Sequence, residues 1–148
     1  MNNQKGFSLI EMLIVVVILT VLSGIAIPVY VSMKPSIRLS GATRQIMGDL
    51  MWARMQAISQ NNEFKIFFLD NHRYRILDDD NGNGFIDNAE KTVTKDIQEK
   101  YYDVTFTSTA NPIFHQSGNA APAATITLIN SHGTKTITIA ITGRVRKS

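Results

Sequence analysis

The stretch Lys5-Gly6-Phe7-Ser8-Leu9-Ile10-Glu11-Met12 decides how this sequence folds, because it opens a long apolar run. The 20 residues from Met12 to Val31 carry no charge and are mostly Ile, Val and Leu. A helix rises about 1.5 Å per residue, so a run of this length spans a hydrocarbon core of ~30 Å. Lys5 precedes the run, and we therefore expect the short leader in the cytoplasm and the rest of the chain outside.

Two features separate this run from an ordinary secretory signal, which places its small-residue cleavage site after the apolar segment. The segment Ser23-Gly24-Ile25-Ala26 is a poor candidate for that site, whereas the Gly6-Phe7 junction lies before the run. Glu11 also places a carboxylate at the mouth of an apolar helix, where insertion costs free energy and a partner is expected. A plain signal anchor that carries this pattern by accident is the alternative.

The spaced glycine, phenylalanine and glutamate ahead of an apolar run resemble the processing site of type IV prepilins and pseudopilins. The resemblance implies that a membrane prepilin peptidase cleaves between Gly6 and Phe7 and that Phe7 becomes N-methylated. It further implies that Glu11 pairs, inside a filament, with the terminal amine of a neighbouring Phe7. Physical chemistry agrees, because a carboxylate buried in an apolar bundle needs a cation or a proton. Pro28 corresponds in this resemblance to a proline at which pilin helices locally melt during assembly.

The remaining chain predicts an α+β, pilin-like fold in which a long N-terminal helix, half membrane segment and half amphipathic, packs on an antiparallel β-sheet. Apolar residues recur at spacings of three and four over residues 37–60, which predicts the amphipathic half. These residues are Leu39, Ala42, Ile46, Leu50, Ala53 and Ala57. We interpret a wider stripe as the seam against the sheet rather than a binding surface; it contains Met47, Met51, Met55 and Ile58. We expect Trp52 to anchor that seam. Pro35 predicts a bend or a short break.

After Asn61 the hydrophobic period becomes two, which predicts about six strands. The predicted strands are 64–69, 73–77, 92–97, 101–107, 124–129 and 136–142, with a short strand at 112–115. We therefore expect a cleaved leader at 1–6, a transmembrane and assembly helix at 7–35, and a periplasmic domain at 36–148. Within that domain the helix is expected at 37–60 and the sheet at 61–148.

The composition argues against an enzyme. The chain has no cysteine, which excludes a disulfide, a zinc–thiolate site, an iron–sulfur cluster and a cysteine nucleophile. No Gly-rich phosphate loop or nucleophile elbow occurs, and His72, His115 and His132 are scattered without an i,i+4 partner. We predict no catalytic residues and no cofactor besides calcium.

The segment Asp79-Asp80-Asn81-Gly82-Asn83-Gly84-Phe85-Ile86-Asp87-Asn88-Ala89-Glu90 matches the twelve-residue calcium-loop pattern at every specified position. The candidate ligands are Asp79, Asn81, Asn83, the Phe85 carbonyl, Asp87 and Glu90. Their oxygen atoms suit Ca²⁺, Gly84 would supply the sharp turn, and Ile86 would hold the loop against the core. The flanking segments predict strands instead of the helices of an EF-hand. An Asp/Asn/Gly-rich hairpin tip without a metal is therefore the alternative.

Charge is distributed unevenly along a chain whose net charge is +3. Nine acidic and five basic residues lie between Asp70 and Asp103, and no acidic residue follows Asp103. The chain ends in a basic segment, Gly143-Arg144-Val145-Arg146-Lys147-Ser148. In a continuous strand Arg144 and Arg146 would share one face about 7 Å apart, comparable with successive phosphates of a nucleic-acid strand. A solubilising terminus is the alternative.

The Gly-Arg-x-Arg end after a Thr/Ile-rich strand resembles the GspH/FimT group of minor pilins and pseudopilins. The resemblance implies a minor subunit of a type IV pilus or type II secretion pseudopilus that helps filament initiation or tip assembly. The alternative that it implies is a FimT-like minor pilin that binds DNA for uptake through Arg144, Arg146 and Lys147. Expected partners are other pilin or pseudopilin subunits, the prepilin peptidase, the inner membrane and, in the alternative, DNA. We expect the chain in the inner membrane, with its globular domain in the periplasm, and later in the filament.

Overall fold

The computed structural model describes residues 6–87 and 90–148. Of the expected leader only Gly6 is described, and residues 1–5 lie outside the described part. The chain forms two compact units, the first of which ends at Lys34 while the second comprises Pro35–Ser148.

One helix, α1, extends from Leu9 to Gln60. Helical backbone continues through both Pro28 and Pro35, so the break predicted at Pro35 is wrong. A proline removes only one backbone donor from the helix, and 52 residues of otherwise continuous hydrogen bonding tolerate that loss.

The first unit exposes every described residue from Gly6 to Lys34. Its helical segment reaches a mean hydropathy of 2.8 and is long and apolar enough to cross a membrane. In the second unit the buried stripe of α1 begins at Leu39 and contains the six predicted residues together with Thr43. The Thr43 hydroxyl is satisfied locally, because it donates to the Leu39 carbonyl at 2.7 Å.

Within the part of the chain that the structure describes, nine antiparallel strands follow the helix. They are β1 Glu63–Phe68, β2 Arg73–Asp79, β3 Thr92–Asp96, β4 Thr105–Ser108, β5 Ile113–Phe114, β6 Ala120–Ala121, β7 Ala124–Asn130, β8 Gly133–Ile139 and β9 Val145–Lys147. They form a first sheet in the order β3-β2-β1-β5-β6 and a second sheet in the order β4-β7-β8-β9. Pro112 and Pro122 flank the two-residue strands β5 and β6, and because proline cannot donate to a ladder, these strands stay short. The sequence predicted one sheet, and the fold divides it into two.

The strand predicted to begin at Tyr101 starts later, at Thr105. Tyr101–Val104 forms a turn instead, with the Val104 N–H donating to the Tyr101 carbonyl at 2.9 Å. The Tyr101 ring lies against Gly41 of α1 so closely that a β-carbon there would meet the ring at 2.5 Å. Contact with the helix therefore takes the place of the predicted strand.

Aromatic side chains join the two sheets beneath α1. Phe64, Tyr74, Phe106 and Phe114 are buried. Phe106 of the second sheet stands edge-on to Tyr74 of the first, with ring centroids 6.1 Å apart. Aromatic pairs favour this edge-to-face geometry. Burial raises the pKa of the Tyr74 phenol, which stays neutral and donates a hydrogen bond to Asp49 of α1.

An ion pair attaches the start of the amphipathic half to the segment before β4. Arg38 donates to both oxygens of Asp103, from Nε at 2.5 Å and from Nη2 at 2.8 Å. Asn130 donates to Asp103 at 3.2 Å and to the Pro35 carbonyl at 2.8 Å. The hydrogen bonds from Arg38 lower the pKa of the Asp103 carboxyl below its ordinary value.

We predict that this pair makes the fold sensitive to acid. The folded-state pKa of Asp103 lies below the unfolded value of about 3.9, so its stabilising contribution is present above that pH. The contribution is lost as the pH falls through the folded pKa. Asp103→Asn should therefore melt lower than the wild type near pH 7, and the difference should shrink at about pH 3. Thermal melts at both pH values test this, with Glu99→Gln as an exposed control; a pH-independent difference would contradict it.

Candidate functional site

The N-terminal candidate residues lie at the start of α1. The Ser8 N–H donates to Glu11 Oε2 at 2.8 Å, and the Glu11 N–H donates to Ser8 Oγ at 3.2 Å. This reciprocal pair is a capping box, which satisfies two backbone donors at a helix start. This capping role of Glu11 is not among the roles predicted from the sequence, although the Ser-x-x-Glu spacing carries the signal. Phe7 is 84% exposed beside it, and nothing lies within 4 Å of the Gly6 β-carbon position.

The apolar part of α1 that follows has no cover within the described chain. Its large side chains are 49–85% exposed from Leu9 to Met33. Pro28 lies inside this surface and lacks the N–H that a helical residue would donate. A surface of this kind is stable only in lipid or among other apolar helices.

The C-terminal candidate residues lie on and beside β9, the edge strand of the second sheet. Arg144, Arg146 and Lys147 are exposed, whereas Val145 packs against the core. Strand β9 begins at Val145, so Arg144 precedes the strand. The two arginines border different depressions. Arg146 and Lys147 lie with Thr138 around one of these, which has a volume of about 340 Å³. The structure therefore exposes all three cations without placing both arginines on one strand face.

The backbone conformation and the packing at position 143, the first residue of the Gly-Arg-x-Arg end, require a glycine. Its φ is +73°, and a β-carbon at this position would lie 1.9 Å from the Gly118 carbonyl oxygen. Arg54 of α1 fastens the same place, because its Nε donates to that Gly118 oxygen at 2.8 Å and its Nη2 to the Thr142 carbonyl at 3.4 Å. The sequence pattern gave no sign of Arg54 in this role.

A groove of about 300 Å³ separates this end of the chain from α1. Its lining contains Met51, Met55 and Ile58 from the helix and Arg144 from the C-terminal segment. The three apolar side chains are 49–67% exposed. The prediction that they form a seam against the sheet is therefore wrong for this part of the stripe, because β9 leaves the helix uncovered there.

Part of the predicted calcium loop is held by hydrogen bonds to a buried carboxylate. Asp79 is fully buried and accepts the backbone N–H groups of Asn83 at 3.2 Å and Gly84 at 2.7 Å. Asn81 and Asn83 donate their side-chain amides to Asp87 Oδ2 at 2.9 and 2.8 Å. Among the side-chain atoms that the structure describes, Glu90 Oε1 is buried without a hydrogen-bond partner.

The geometry of this loop does not support a metal site. Among residues 6–87 and 90–148, no group of three or more His, Cys, Asp or Glu side chains is arranged to hold a metal ion. Phe85 is 74% exposed, and Ile86 is 44% exposed, so Ile86 does not hold the loop against the core as predicted. Asn88 and Ala89 lie outside the described residues.

A long N-terminal helix packed on antiparallel sheets, preceded by Gly6 and Phe7 and carrying Glu11, defines the class of type IV pilins and pseudopilins. Residues 42–143 match the family described as type II transport protein GspH, and residues 1–27 match the prokaryotic N-terminal methylation motif. The chain belongs to the GspH family. Members of this family are structural pilin or pseudopilin subunits and not enzymes, and other such subunits are their partners.

Two solved structures show the same fold. The type IV minor pilin FimU of Pseudomonas aeruginosa is 19% identical, with 74% of this chain and 91% of FimU covered and a TM-score of 0.57. The minor pseudopilin EpsH from the type 2 secretion system of Vibrio cholerae is 14% identical, with 75% and 96% covered and a TM-score of 0.59. No curated protein matches the sequence. The apolar helix and the methylation motif are those of a membrane-anchored pilin.

We predict that Gly143→Ala lowers the free energy of unfolding by about 2–4 kcal/mol, because it adds backbone strain and a clash with Gly118. Gly48→Ala is the matched control, since Gly48 is an exposed helical residue with nothing near its β-carbon position. That change should be neutral or stabilising by up to about 1 kcal/mol. Chemical denaturation measures both variants, and equal stabilities would contradict the assignment.

Proposed function

We propose that this chain is a minor subunit of a type IV pilus or a type II secretion pseudopilus and that it helps to initiate the filament or occupies its tip. The observation that carries the proposal is that the apolar part of α1 from Leu9 to Met33 is exposed, while the second unit has a core of its own. Membership of the GspH family supports it, and FimU and EpsH are themselves named as minor subunits. The absence of cysteine favours a minor subunit, since many major pilins carry a C-terminal disulfide loop.

The chemistry of assembly follows from three N-terminal residues. Cleavage after Gly6 by a prepilin peptidase would free an amine on Phe7, which would then be N-methylated. Glu11 caps its own helix through Ser8, yet its Oε1 is not used in that capping box. Among packed apolar helices this carboxylate would need a cation, and the amine of a neighbouring Phe7 is the cation that processing supplies. The apolar segment would lie in the inner membrane beforehand, with residues 36–148 in the periplasm and Pro28 permitting local melting of the helix.

We predict that Glu11→Gln separates capping from charge pairing. Glutamine can still accept the Ser8 N–H in a capping box but carries no charge. The variant should lose its leader normally, and its recovery with the other filament subunits should fall by more than about tenfold. Mass spectrometry of the mature chain and co-isolation from membranes provide the two readouts.

Gly6→Ala is the companion variant, because it should block cleavage and leave the leader attached. A Gly6→Ala chain that still loses its leader would refute processing at this site. A Glu11→Gln chain that assembles like the wild type would refute the charge pair.

A second function, DNA capture for uptake, is favoured by the exposure of Arg144, Arg146 and Lys147 at the sheet edge. Arginine makes bidentate contacts with phosphate, and within the described residues no acidic side chain belongs to any strand of the second sheet. The two proposals differ in phenotype. Loss of transformation on deletion points to DNA capture, whereas loss of secretion with normal DNA uptake points to a pseudopilus.

We predict that the purified full-length chain in an uncharged detergent binds duplex DNA and that binding weakens steeply with salt. Arg144→Ala/Arg146→Ala should reduce the slope of log affinity against log salt by roughly two, because two phosphate contacts are lost. Lys91→Ala/Lys100→Ala changes the charge equally at exposed positions elsewhere and should bind like the wild type. A wild-type chain that does not bind at low salt would remove the DNA proposal.

The calcium loop stays a proposal that rests on the twelve-residue sequence pattern from Asp79 to Glu90. A bound ion would stabilise the folded chain, so calcium should raise the melting temperature of the wild type but not that of Asp87→Ala. An unchanged wild-type melting temperature would favour the hairpin-tip alternative.

A further inference from the structure

The outward face of the second sheet carries a regular array of threonines. Along β4, β7 and β8 buried side chains, including Phe106, Ile126 and Ile137, alternate with side chains that point outward. The outward threonines are Thr105, Thr107, Thr125, Thr127, Thr134, Thr136 and Thr138, and we call this surface the threonine face. Ile129 is the one large apolar side chain that these strands expose among the described residues.

Strand register aligns this array with the basic edge strand. Arg146 pairs with Thr138, and Thr138 pairs with Thr125, so these three residues form one row across β9, β8 and β7. Thr136, Thr127 and Thr107 form a parallel row across β8, β7 and β4. Neighbouring strands lie about 4.8 Å apart, and outward residues along one strand lie about 7 Å apart. Each row therefore places hydroxyl groups at regular intervals leading away from the cationic edge.

The threonine face is free of acidic charge. Within the described residues the four strands of the second sheet contain no Asp or Glu, and no acidic residue follows Asp103 in the sequence. Lys135 of β8 is directed elsewhere, because its Nζ donates to Ser40 Oγ of α1 at 2.5 Å. The positive charge bordering the face therefore comes from Arg146 of β9, which pairs with Thr138.

We infer that the threonine face is a docking surface for the sugar–phosphate backbone of DNA and continues the site begun by Arg146. The inference rests on the proposed DNA function and extends it from the edge strand across the sheet. Threonine hydroxyls donate to phosphate oxygens, and such contacts position a duplex without selecting its sequence. The β-branched side chain has few rotamers, so it loses little conformational entropy when it binds.

The occupant follows from the chemistry of this surface. A partner held by apolar contacts would find one large exposed apolar side chain, Ile129, on these strands. A partner that binds through its own cationic side chains would find threonine hydroxyls but no carboxylates, so it could form no ion pairs here. A polyanion gains from the arginine at the edge, from the hydroxyl donors beyond it, and from the absence of acidic residues that would repel it.

The test uses Thr125→Val/Thr138→Val, which removes two hydroxyls from the Arg146 row at nearly constant shape and keeps strand propensity. A labelled duplex of random sequence is titrated with the full-length chain in uncharged detergent over a range of salt concentrations. Affinity should fall by roughly three- to tenfold at every salt concentration, because neutral hydrogen bonds are lost. The salt slope should stay that of the wild type, in contrast to Arg146→Ala, which should lower it by roughly one.

Thr92→Val/Thr94→Val on the exposed edge strand β3 of the first sheet is the matched control and should bind like the wild type. Melting temperatures equal to that of the wild type establish that each variant is folded. If the Thr125/Thr138 variant binds DNA normally while Arg146→Ala does not, the inference is overturned and the basic-strand proposal survives. If that variant instead loses co-isolation with filament subunits and binds DNA normally, the face is a subunit contact and the inference is likewise overturned. If the wild type fails to bind, the DNA proposal and the inference both fail.

Discussion

The apolar surface of α1 from Leu9 to Met33 must be removed from water for the chain to be stable. The described residues provide nothing to cover it, so its cover must come from lipid or from other helices. A carboxylate at the start of such a segment is costly, and the Ser8–Glu11 capping box reduces that cost by giving Glu11 a local donor. The second unit, in contrast, buries its apolar residues in a core of its own. It does so by using the part of the helix that begins at Leu39.

That helical stripe organises two sheets at once. Small residues such as Ala42, Ala53 and Ala57 let the strands approach α1, while Phe106 and Tyr74 fill the space where the sheets meet. The polar attachments lie around this core. Asp49 accepts a hydrogen bond from the Tyr74 phenol, and Arg38 donates to Asp103. Arg54 donates to the Gly118 carbonyl beside the C-terminal turn. One face of the helix therefore contributes to the core, and the residues at the borders of that face make hydrogen bonds and an ion pair with the rest of the domain.

Local patterns predicted much of this architecture, and long-range contacts decided the remainder. The helical stripe from Leu39 to Ala57 was predicted from spacing alone, because a 3.6-residue period is a local property. Tyr101 was assigned to a strand because its neighbours alternate, but its contact with Gly41 of α1 outweighed that preference. The division into two sheets depends on pairing partners that no single segment encodes.

The candidate sites divide in the same way. The processing and assembly roles of Gly6, Phe7 and Glu11 are predictions from their spacing, whereas the capping role of Glu11 emerges only from the structure. The need for glycine at position 143 depends on Gly118, which lies 25 positions earlier in the chain, and on Arg54 of the helix. The calcium loop shows what a sequence pattern leaves open. The pattern gives the order of the ligands along the chain, but a metal also requires their oxygen atoms to converge. Among the described residues no group of three or more His, Cys, Asp or Glu side chains is arranged in that way.

The shortness and charge of β9 limit how two copies of this chain could pair along the edge of the second sheet. A three-residue strand leaves few backbone groups open on its outer side, and Arg146 and Lys147 put like charges at that border. Two copies that met border to border would repel each other before a shared ladder could form. The same cations that mark the proposed nucleic-acid contact would thus also disfavour edge-to-edge aggregation of the chain.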